Sequence, residues 1–331
     1  MVFENKNVFV TGGAGFIGST LVRELLKEKA NVIVYDNFLI GDNSNLDEVK
    51  DRINIIKGDI LDPNLKQTLI DNKIDFVFNL AAEPYIPHCY DRPTRFFEIN
   101  ANGALNVLLA SKAANVKRII QYSSSEVYGS AKQVPMDENH PTLPLSTYAV
   151  SKLAADRLCF TLHHEQQIPV IILRQFNVYG PRETQPYVIP ELITQLNKTN
   201  VLHLGNTSAR RDFTYVTDAA KGAIALMKLK EAEGQVFNMG TGVDHSIEQI
   251  AKLIGELMGH KEIKINVDKA RLRPLDVQQL QCNNTKMSKL TGWKPTVDFK
   301  QGLKNTIDHF KESGSKWLWE TKIKEEGKLW K

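Results

Sequence analysis

The run Thr11-Gly12-Gly13-Ala14-Gly15-Phe16-Ile17-Gly18 constrains this chain more than any other stretch of its 331 residues. It follows a short apolar run, Asn7–Val10. It opens a segment, Phe16–Lys27, whose Ile17, Leu21, Val22, Leu25 and Leu26 fall on one helical face. Three glycines between a strand and a helix do three different things. Gly12 permits a tight turn, Gly15 lets the backbone approach a pyrophosphate, and Gly18 lets the helix pack close to the sheet. The helix N-terminus adds unpaired N–H groups and a positive dipole end. A β-α-β unit that cradles a dinucleotide is therefore predicted at the start of the chain.

The alternation continues downstream. Val32–Tyr35, Ile53–Ile56, Asp75–Asn79, Arg118–Tyr122 and Pro169–Arg174 are short apolar runs, read as strands covered on both faces. Ala104–Ala114 and Tyr148–His163 read as helices between them. Strand-helix alternation predicts an α/β fold with a doubly wound parallel Rossmann sheet over residues 1–176. From residue 177 the elements become less regular. Helices are expected at Ile189–Leu196, Thr217–Lys228, Ile247–Met258 and Phe299–Ser313, in a smaller C-terminal substrate domain over residues 177–331. One run, Gln235–Met239, reads as a strand that returns to the first sheet. The stretch of about 205–240 then belongs there, and the second domain is partly discontinuous. The tail Ser315–Lys331, with Trp317, Trp319 and Trp330, reads as a helix packed on its own domain, or as a dimer or lid element.

Composition excludes several functions. The 42 basic and 38 acidic residues leave a net charge of +4, without the basic stripe that nucleic-acid binding needs. Cys89, Cys159 and Cys282 are few and far apart, which predicts reduced thiols in a cytoplasmic protein. The histidines have no metal-ligand spacing and read as structural or solvent-facing. The opening Met1–Lys6 has the marks of no signal peptide, and no run approaches the roughly 20 apolar residues of a membrane span.

Asp36 ends the second predicted strand, 21 residues after Gly15. A carboxylate there accepts hydrogen bonds from ribose hydroxyls and repels a 2′-phosphate, which favours NAD over NADP. Asn37 follows it. Gly58-Asp59-Ile60 and Asn79-Leu80-Ala81-Ala82 close the third and fourth strands, where small residues let a flat cofactor lie across the sheet edge. Asp59 is a candidate for the adenine edge. Phe16 and Ile17 join the glycines as cofactor contacts. Tyr148 and Lys152 lie one helical turn apart and project from one face. A phenol normally titrates near 10, so it is a poor base at neutral pH. An ammonium beside it and a cationic nicotinamide favour the phenolate, which then removes a hydroxyl proton while carbon gives up hydride.

TGGAGFIGS, DN, GDI, NLAA, SSSEVYG, Tyr148-x-x-x-Lys152, RQFNVYGPR and RRDFTYV occur in that order from Val8 to about residue 310. Together they resemble the extended short-chain dehydrogenases that modify nucleotide sugars with NAD. The resemblance implies Ser124 as the hydroxyl that shares the substrate hydrogen bond with Tyr148. It also singles out Glu126. The 4-epimerases of the family usually carry a small or neutral residue there. The 4,6-dehydratases carry glutamate, which removes the C5 proton once C4 is a ketone; water then leaves C6 and hydride returns to C6. Ser125 stands where the dTDP-glucose enzymes have an aspartate general acid. The Ser-Glu pair is similar to that of GDP-mannose and UDP-N-acetylglucosamine dehydratases. UDP-glucuronate decarboxylases share it, but they have an arginine just before the active tyrosine, where this chain has Leu145-Ser146-Thr147. Glu83, in Ala82-Glu83-Pro84-Tyr85, resembles the UDP-N-acetylglucosamine dehydratases more than the GDP-mannose ones. By resemblance Asn177, Arg211 and Arg273 hold the substrate's diphosphate or sugar, Asp212 orients Arg211, and Val188 and Leu192 line the nucleoside pocket. A bidentate guanidinium suits phosphate oxygens. The resemblance thus implies a 4,6-dehydratase on a nucleotide hexose, with a UDP-hexose 4-epimerase as the alternative. Further off stands a non-catalytic NAD-binding scaffold. It also implies a homodimer built on helices starting near Pro93 and Tyr148.

Overall fold

Branched and aromatic apolar runs of four to seven residues make the main strands, and amphipathic stretches make the helices between them. The computed structural model describes residues 2–313, so the tail reading for Ser315–Lys331 lies outside the described residues. In chain order the first half holds β1 (Asn7–Thr11), α1 (Phe16–Lys27), β2 (Asn31–Asp36), β3 (Asn54–Lys57), α2 (Leu65–Asp71), β4 (Phe76–Asn79), α3 (Ile86–Cys89), α4 (Pro93–Phe97), α5 (Ala104–Ala113), β5 (Arg118–Ser124), α6 (Thr147–Gln166) and β6 (Val170–Gln175). There follow β7 (Asn177–Tyr179), α7 (Val188–Lys198), β8 (Val201–Leu204), β9 (Arg210–Tyr215), α8 (Val216–Lys228), β10 (Val236–Met239), β11 (Asp244–Ser246), α9 (Ile247–Leu257), β12 (Lys264–Val267), β13 (Gln279–Leu280), α10 (Thr285–Thr291) and α11 (Phe299–Glu312).

The main sheet has seven parallel strands in the order β10-β6-β5-β4-β1-β2-β3. From β1 the chain winds outward to β2 and β3, then crosses back to β4 and winds the other way. That reversal opens a crevice at the carboxyl ends of β1 and β4. Alternation along β1 sends Val8 and Val10 to one face and Phe9 to the other. On the first face α1 and α8 pack with Leu21, Val22, Leu25, Ala219, Ala220 and Ala223; on the second α5 and α6 bring Val107, Leu108, Cys159 and Leu162. The alanines of α8 let it approach closely.

One sequence expectation needs correction here. The third strand is not covered on both faces: β3 is the sheet edge, and Asn54 and Ile55 are exposed. The helix expected at Ala104–Ala114 is α5, and Glu98–Gly103 forms a π-turn between α4 and α5. Asn100, inside that turn, bonds both the N–H and the C=O of Glu83, which fixes the loop after β4.

Beyond β6 a four-stranded group, β11-β9-β13 with β7 beside β9, and the pair β8-β12 pack against α7, α9 and α11. β10 pairs with β6, so the chain returns to the first sheet. Arg174 and Asp156, both buried, form a two-bond ion pair under the crevice, with the guanidinium over the Tyr128 ring. Burial acts to raise the Asp156 carboxyl, but Arg174 holds it below the usual carboxylate range.

Candidate active site

A cavity of about 470 Å³ runs along the carboxyl edge of the sheet and into the smaller group of elements. Its walls hold Gly12, Gly15, Phe16, Ile17 and Gly18 at one end and Arg211 and Arg273 at the other. The glycine run forms a cradle that side chains would fill. A Cβ on Gly18 would sit 2.1 Å from the Gly12 carbonyl oxygen, and one on Gly12 would meet Ala81 N at 2.9 Å with φ at +67°. Gly15 is different. Its Cβ would meet only the Gly12 oxygen, at 3.2 Å, so that position is open toward the cavity.

Asp36 lies in the wall beside the cradle. One carboxylate oxygen accepts the Ala14 N–H at 2.9 Å and the other the Phe38 N–H at 2.8 Å. These bonds clamp the turn. Asn37 donates to the Asp59 carboxylate at 2.8 Å, coupling the ends of β2 and β3. Asp59, Ile60, Leu80, Ala81 and Ala82 all line the same wall. A dinucleotide fits this channel, because the cradle, the helix N-terminus and the clamped carboxylate are contiguous.

Ser146 caps α6 by accepting the Ala149 N–H at 3.1 Å, and the helix then presents Tyr148 and Lys152 to the cavity. Ser124, at the end of β5, hydrogen-bonds the Tyr148 phenol. Lys152 is 4% exposed and donates to the Tyr122 carbonyl at 2.6 Å. The protein groups alone do not favour a phenolate. Burial pushes Tyr148 up to about 12, the Ser124 bond works against that, and the Glu126 charge adds to it. The sequence argument had Lys152 lowering Tyr148. Lys152 instead loses part of its own hold on a proton, pushed down to about 8 by burial.

Ser125 and Glu126 form the turn after β5, both buried and both in the cavity wall. The charge of Glu126 is felt by Tyr148, Tyr90 and Arg211. Arg211 is 7% exposed; burial depresses its guanidinium and Glu126 opposes that. Asp276 lies 3.8 Å from Arg211 and 4.0 Å from Arg273 and so joins the two. Asp212 is not the orienter of Arg211. Its carboxylate faces away and accepts from Thr241 N and Oγ1, Gly242 N and Cys282 N, closing the loop after β10. Val188 lines the cavity, but Leu192 is fully buried in the core between α7 and α9; one turn further along the helix, it points inward. Asn177 and Glu83 line the cavity too, and Glu83 is paired with Arg95 at 3.1 Å.

Several wall residues escaped the sequence reading. Tyr85 and Tyr187 meet edge-to-face at 5.9 Å between centroids, and Glu183, Arg95, Arg271 and Asp276 share the cavity. Burial raises the Tyr187 phenol well above its ordinary value, and Tyr148, Glu183, Tyr85 and Glu83 add to this, which places the five together. Tyr85, Glu183, Tyr187 and Asp276 come from irregular loops, where no periodicity marks a residue as inward-facing. Among the described residues no His, Cys, Asp and Glu cluster is arranged to hold a metal ion, and no helix is long and apolar enough to cross a membrane.

Residues 9–306 match the family model described as GDP-mannose 4,6 dehydratase. The chain is 32% identical to human dTDP-D-glucose 4,6-dehydratase over 324 residues, covering 94% of this chain and 92% of that protein. It superposes on an epimerase from Methanothermobacter thermautotrophicus with a TM-score of 0.88 and 31% identity, covering 98% and 96% of the two chains. It superposes on the dTDP-glucose 4,6-dehydratase of Bacillus anthracis, solved with NAD, with a TM-score of 0.85 and 28% identity over 94% and 98%. The glycine cradle, the Tyr148–Lys152 helix and these likenesses converge: the chain belongs to the extended short-chain dehydrogenase family of NAD-dependent nucleotide-sugar dehydratases and epimerases.

Proposed function

We propose that this enzyme is a nucleotide-hexose 4,6-dehydratase working through a 4-keto intermediate. The observation that carries the reading is the buried Glu126 carboxylate in the same cavity wall as Tyr148. Bound NAD supplies a hydride acceptor that later returns the hydride. Tyr148 takes the proton of the C4 hydroxyl, with Ser124 sharing that hydrogen bond. Lys152 holds its positive charge against the end of β5. With C4 a ketone, the C5–H bond is acidified, and Glu126 removes that proton. Loss of the C6 hydroxyl as water, carrying off the proton that Glu126 has just taken, gives an enone, and hydride at C6 with a proton from solvent at C5 completes the 6-deoxy-4-ketose. Gly12, Gly15, Phe16, Ile17, Gly18, Asp36, Asn37, Asp59, Ile60, Leu80, Ala81 and Ala82 are the proposed cofactor contacts. Glu83, Asn177, Val188, Arg211 and Arg273 are the proposed substrate contacts. The arginine pair suits a diphosphate.

A second reading, C4 epimerisation, draws on Ser125. No carboxylic acid adjoins Glu126 in the turn to protonate a leaving C6 hydroxyl, and Glu126 then only binds a sugar hydroxyl. Incubation with UDP-N-acetylglucosamine, UDP-glucose and GDP-mannose separates the two. Dehydration gives a product one water lighter. Epimerisation gives an isomer of equal mass. In Glu126→Gln the C5 proton exchange with deuterated solvent should slow by roughly 10²- to 10⁴-fold while C4 oxidation persists. Exchange at the unaltered rate would sink the base assignment. In Tyr148→Phe turnover should fall by a similar factor, and undiminished turnover would favour the scaffold reading. We also propose a homodimer through α4 and α6, whose Phe97, Val150 and Phe160 are 40–45% exposed apolar side chains.

A further inference from the structure

Glu183 is a buried acid whose carboxyl lacks, among the described residues, the paired donors that Asp156, Asp212, Asp218 and Glu83 have. It is 4% exposed and lies in the cavity wall. One carboxyl oxygen accepts the Gly180 N–H at 3.1 Å, and no donor among the described residues meets the other. Asp156 has Arg174, Asp212 has four donors, Asp218 has Thr296 and Val297, and Glu83 has Arg95.

Its place in the channel is fixed from both sides. The preceding residue, Arg182, donates to Thr20 Oγ1 of α1 at 3.0 Å, within the first turns after the glycine cradle. On the other side Glu183 acts on Tyr187, which also feels Tyr148. Glu183 therefore shares the cavity wall with the glycine cradle, and it neighbours Tyr187, which feels the tyrosine suited to the reacting carbon. A dinucleotide lying from Asp36 across α1 toward Tyr148 brings its nicotinamide end past this residue.

We propose that the Glu183 carboxyl pairs with the carboxamide of the bound nicotinamide. Burial holds this group well above the ordinary carboxylate range, which favours its protonated form. A carboxylic acid offers one O–H donor and one carbonyl acceptor side by side. A primary amide offers the complementary acceptor and donor, so two hydrogen bonds form at once. In its neutral form the acid orients the ring without adding a negative charge that would stabilise the oxidised, cationic form over the reduced one.

The test uses the whole protein, freed of nucleotide and titrated by calorimetry with NAD⁺, NADH, ADP-ribose and 3-acetylpyridine adenine dinucleotide, which keeps the ring carbonyl but lacks the amide N–H. No sugar is present, so the result does not depend on dehydration or epimerisation. Glu183→Ala should bind NAD⁺ roughly 3- to 10-fold more weakly while ADP-ribose binding stays unchanged. Glu183→Gln, also a paired donor and acceptor, should retain most of the NAD⁺ affinity and the wild-type NAD⁺-to-NADH ratio. The wild type should prefer NAD⁺ to the acetylpyridine dinucleotide by a similar factor, and Glu183→Ala should lose that preference. Equal weakening of NAD⁺ and ADP-ribose, or unchanged NAD⁺ binding, would overturn the assignment. So would a Glu183→Gln ratio shifted toward NADH, which would mean an ionised carboxylate. Should Glu183→Ala not fold, absence of the analogue preference in the wild type overturns it alone.

Discussion

Lys152 is an ammonium held where the surroundings disfavour charge. Burial lowers it from 10.5 to about 8, against the pull of Cys159 and Asp156. Its proton is therefore bound less tightly in the folded chain than in the unfolded one, a difference worth about 3 kcal/mol. Below about pH 8 both states hold the proton and the burial cost stands in full. Between about 8 and 10.5 the unfolded chain holds more protons, so this group's contribution to stability rises with pH. Lys152→Met removes the charge and should be more stable than wild type at pH 7 by an amount that shrinks by about pH 9.5. Urea unfolding at both pH values checks this, and a difference independent of pH contradicts it. The Tyr148-x-x-x-Lys152 spacing was legible in the sequence because four residues make one helical turn. The net electrostatics were not, since they depend on how deeply the pair sits. The same holds for Glu183 and Tyr187. Their loop has no period to read, and only the folded cavity brings them beside Tyr148.

At the scale of elements, the strand-turn-helix unit of β1 and α1 joins stability to cofactor binding, and two of its glycines separate these roles. A methyl on Gly18 collides with the Gly12 carbonyl and with the Gly13 backbone, at 2.1 and 2.8 Å. No flexible side chain is there to yield, so α1 must lift from the sheet. Gly18→Ala should lower stability by about 1–3 kcal/mol and weaken NAD binding together. Gly15→Ala faces a single contact at 3.2 Å and has φ of −77°, which alanine adopts without strain. It should melt within a few degrees of wild type yet bind NAD less well, because the methyl occupies the pyrophosphate's approach. Thermal melts with and without NAD distinguish them; equal loss of stability in both variants refutes the division. The main strands and helices were readable to within a few residues, because buried runs and helical faces leave patterns of fixed period. The strands β7, β8, β9, β11, β12 and β13, all in the smaller group of elements, were not. Neither was the turning away of Asp212, which shares its strand with Arg211 but takes the opposite face.

The cavity of the whole molecule is built by one chain, while apolar side chains remain uncovered elsewhere. Phe97 ends α4 at 45% exposure, and Val150 and Phe160 on α6 are 44% and 40% exposed. α4 and α6 pack against each other beside the site, so these side chains belong to one layer. In the proposed isologous dimer each side chain enters the contact twice, once from each subunit. Phe97→Glu therefore places two carboxylates in one apolar interface, each costing several kcal/mol unless it finds a partner. The dissociation constant should rise by at least about 100-fold, which sedimentation velocity reads as a shift from dimer to monomer at micromolar protein. Phe97 is already half in solvent within its own subunit, so the isolated fold loses little. The cradle and the Tyr148 wall include no residue of that face, so NAD content should stay at the wild-type level. A dimer that persists in Phe97→Glu places the interface elsewhere. A monomer that has also lost NAD means that the contact supports the site through α6, and the roles of assembly and chemistry are then not separable in this molecule.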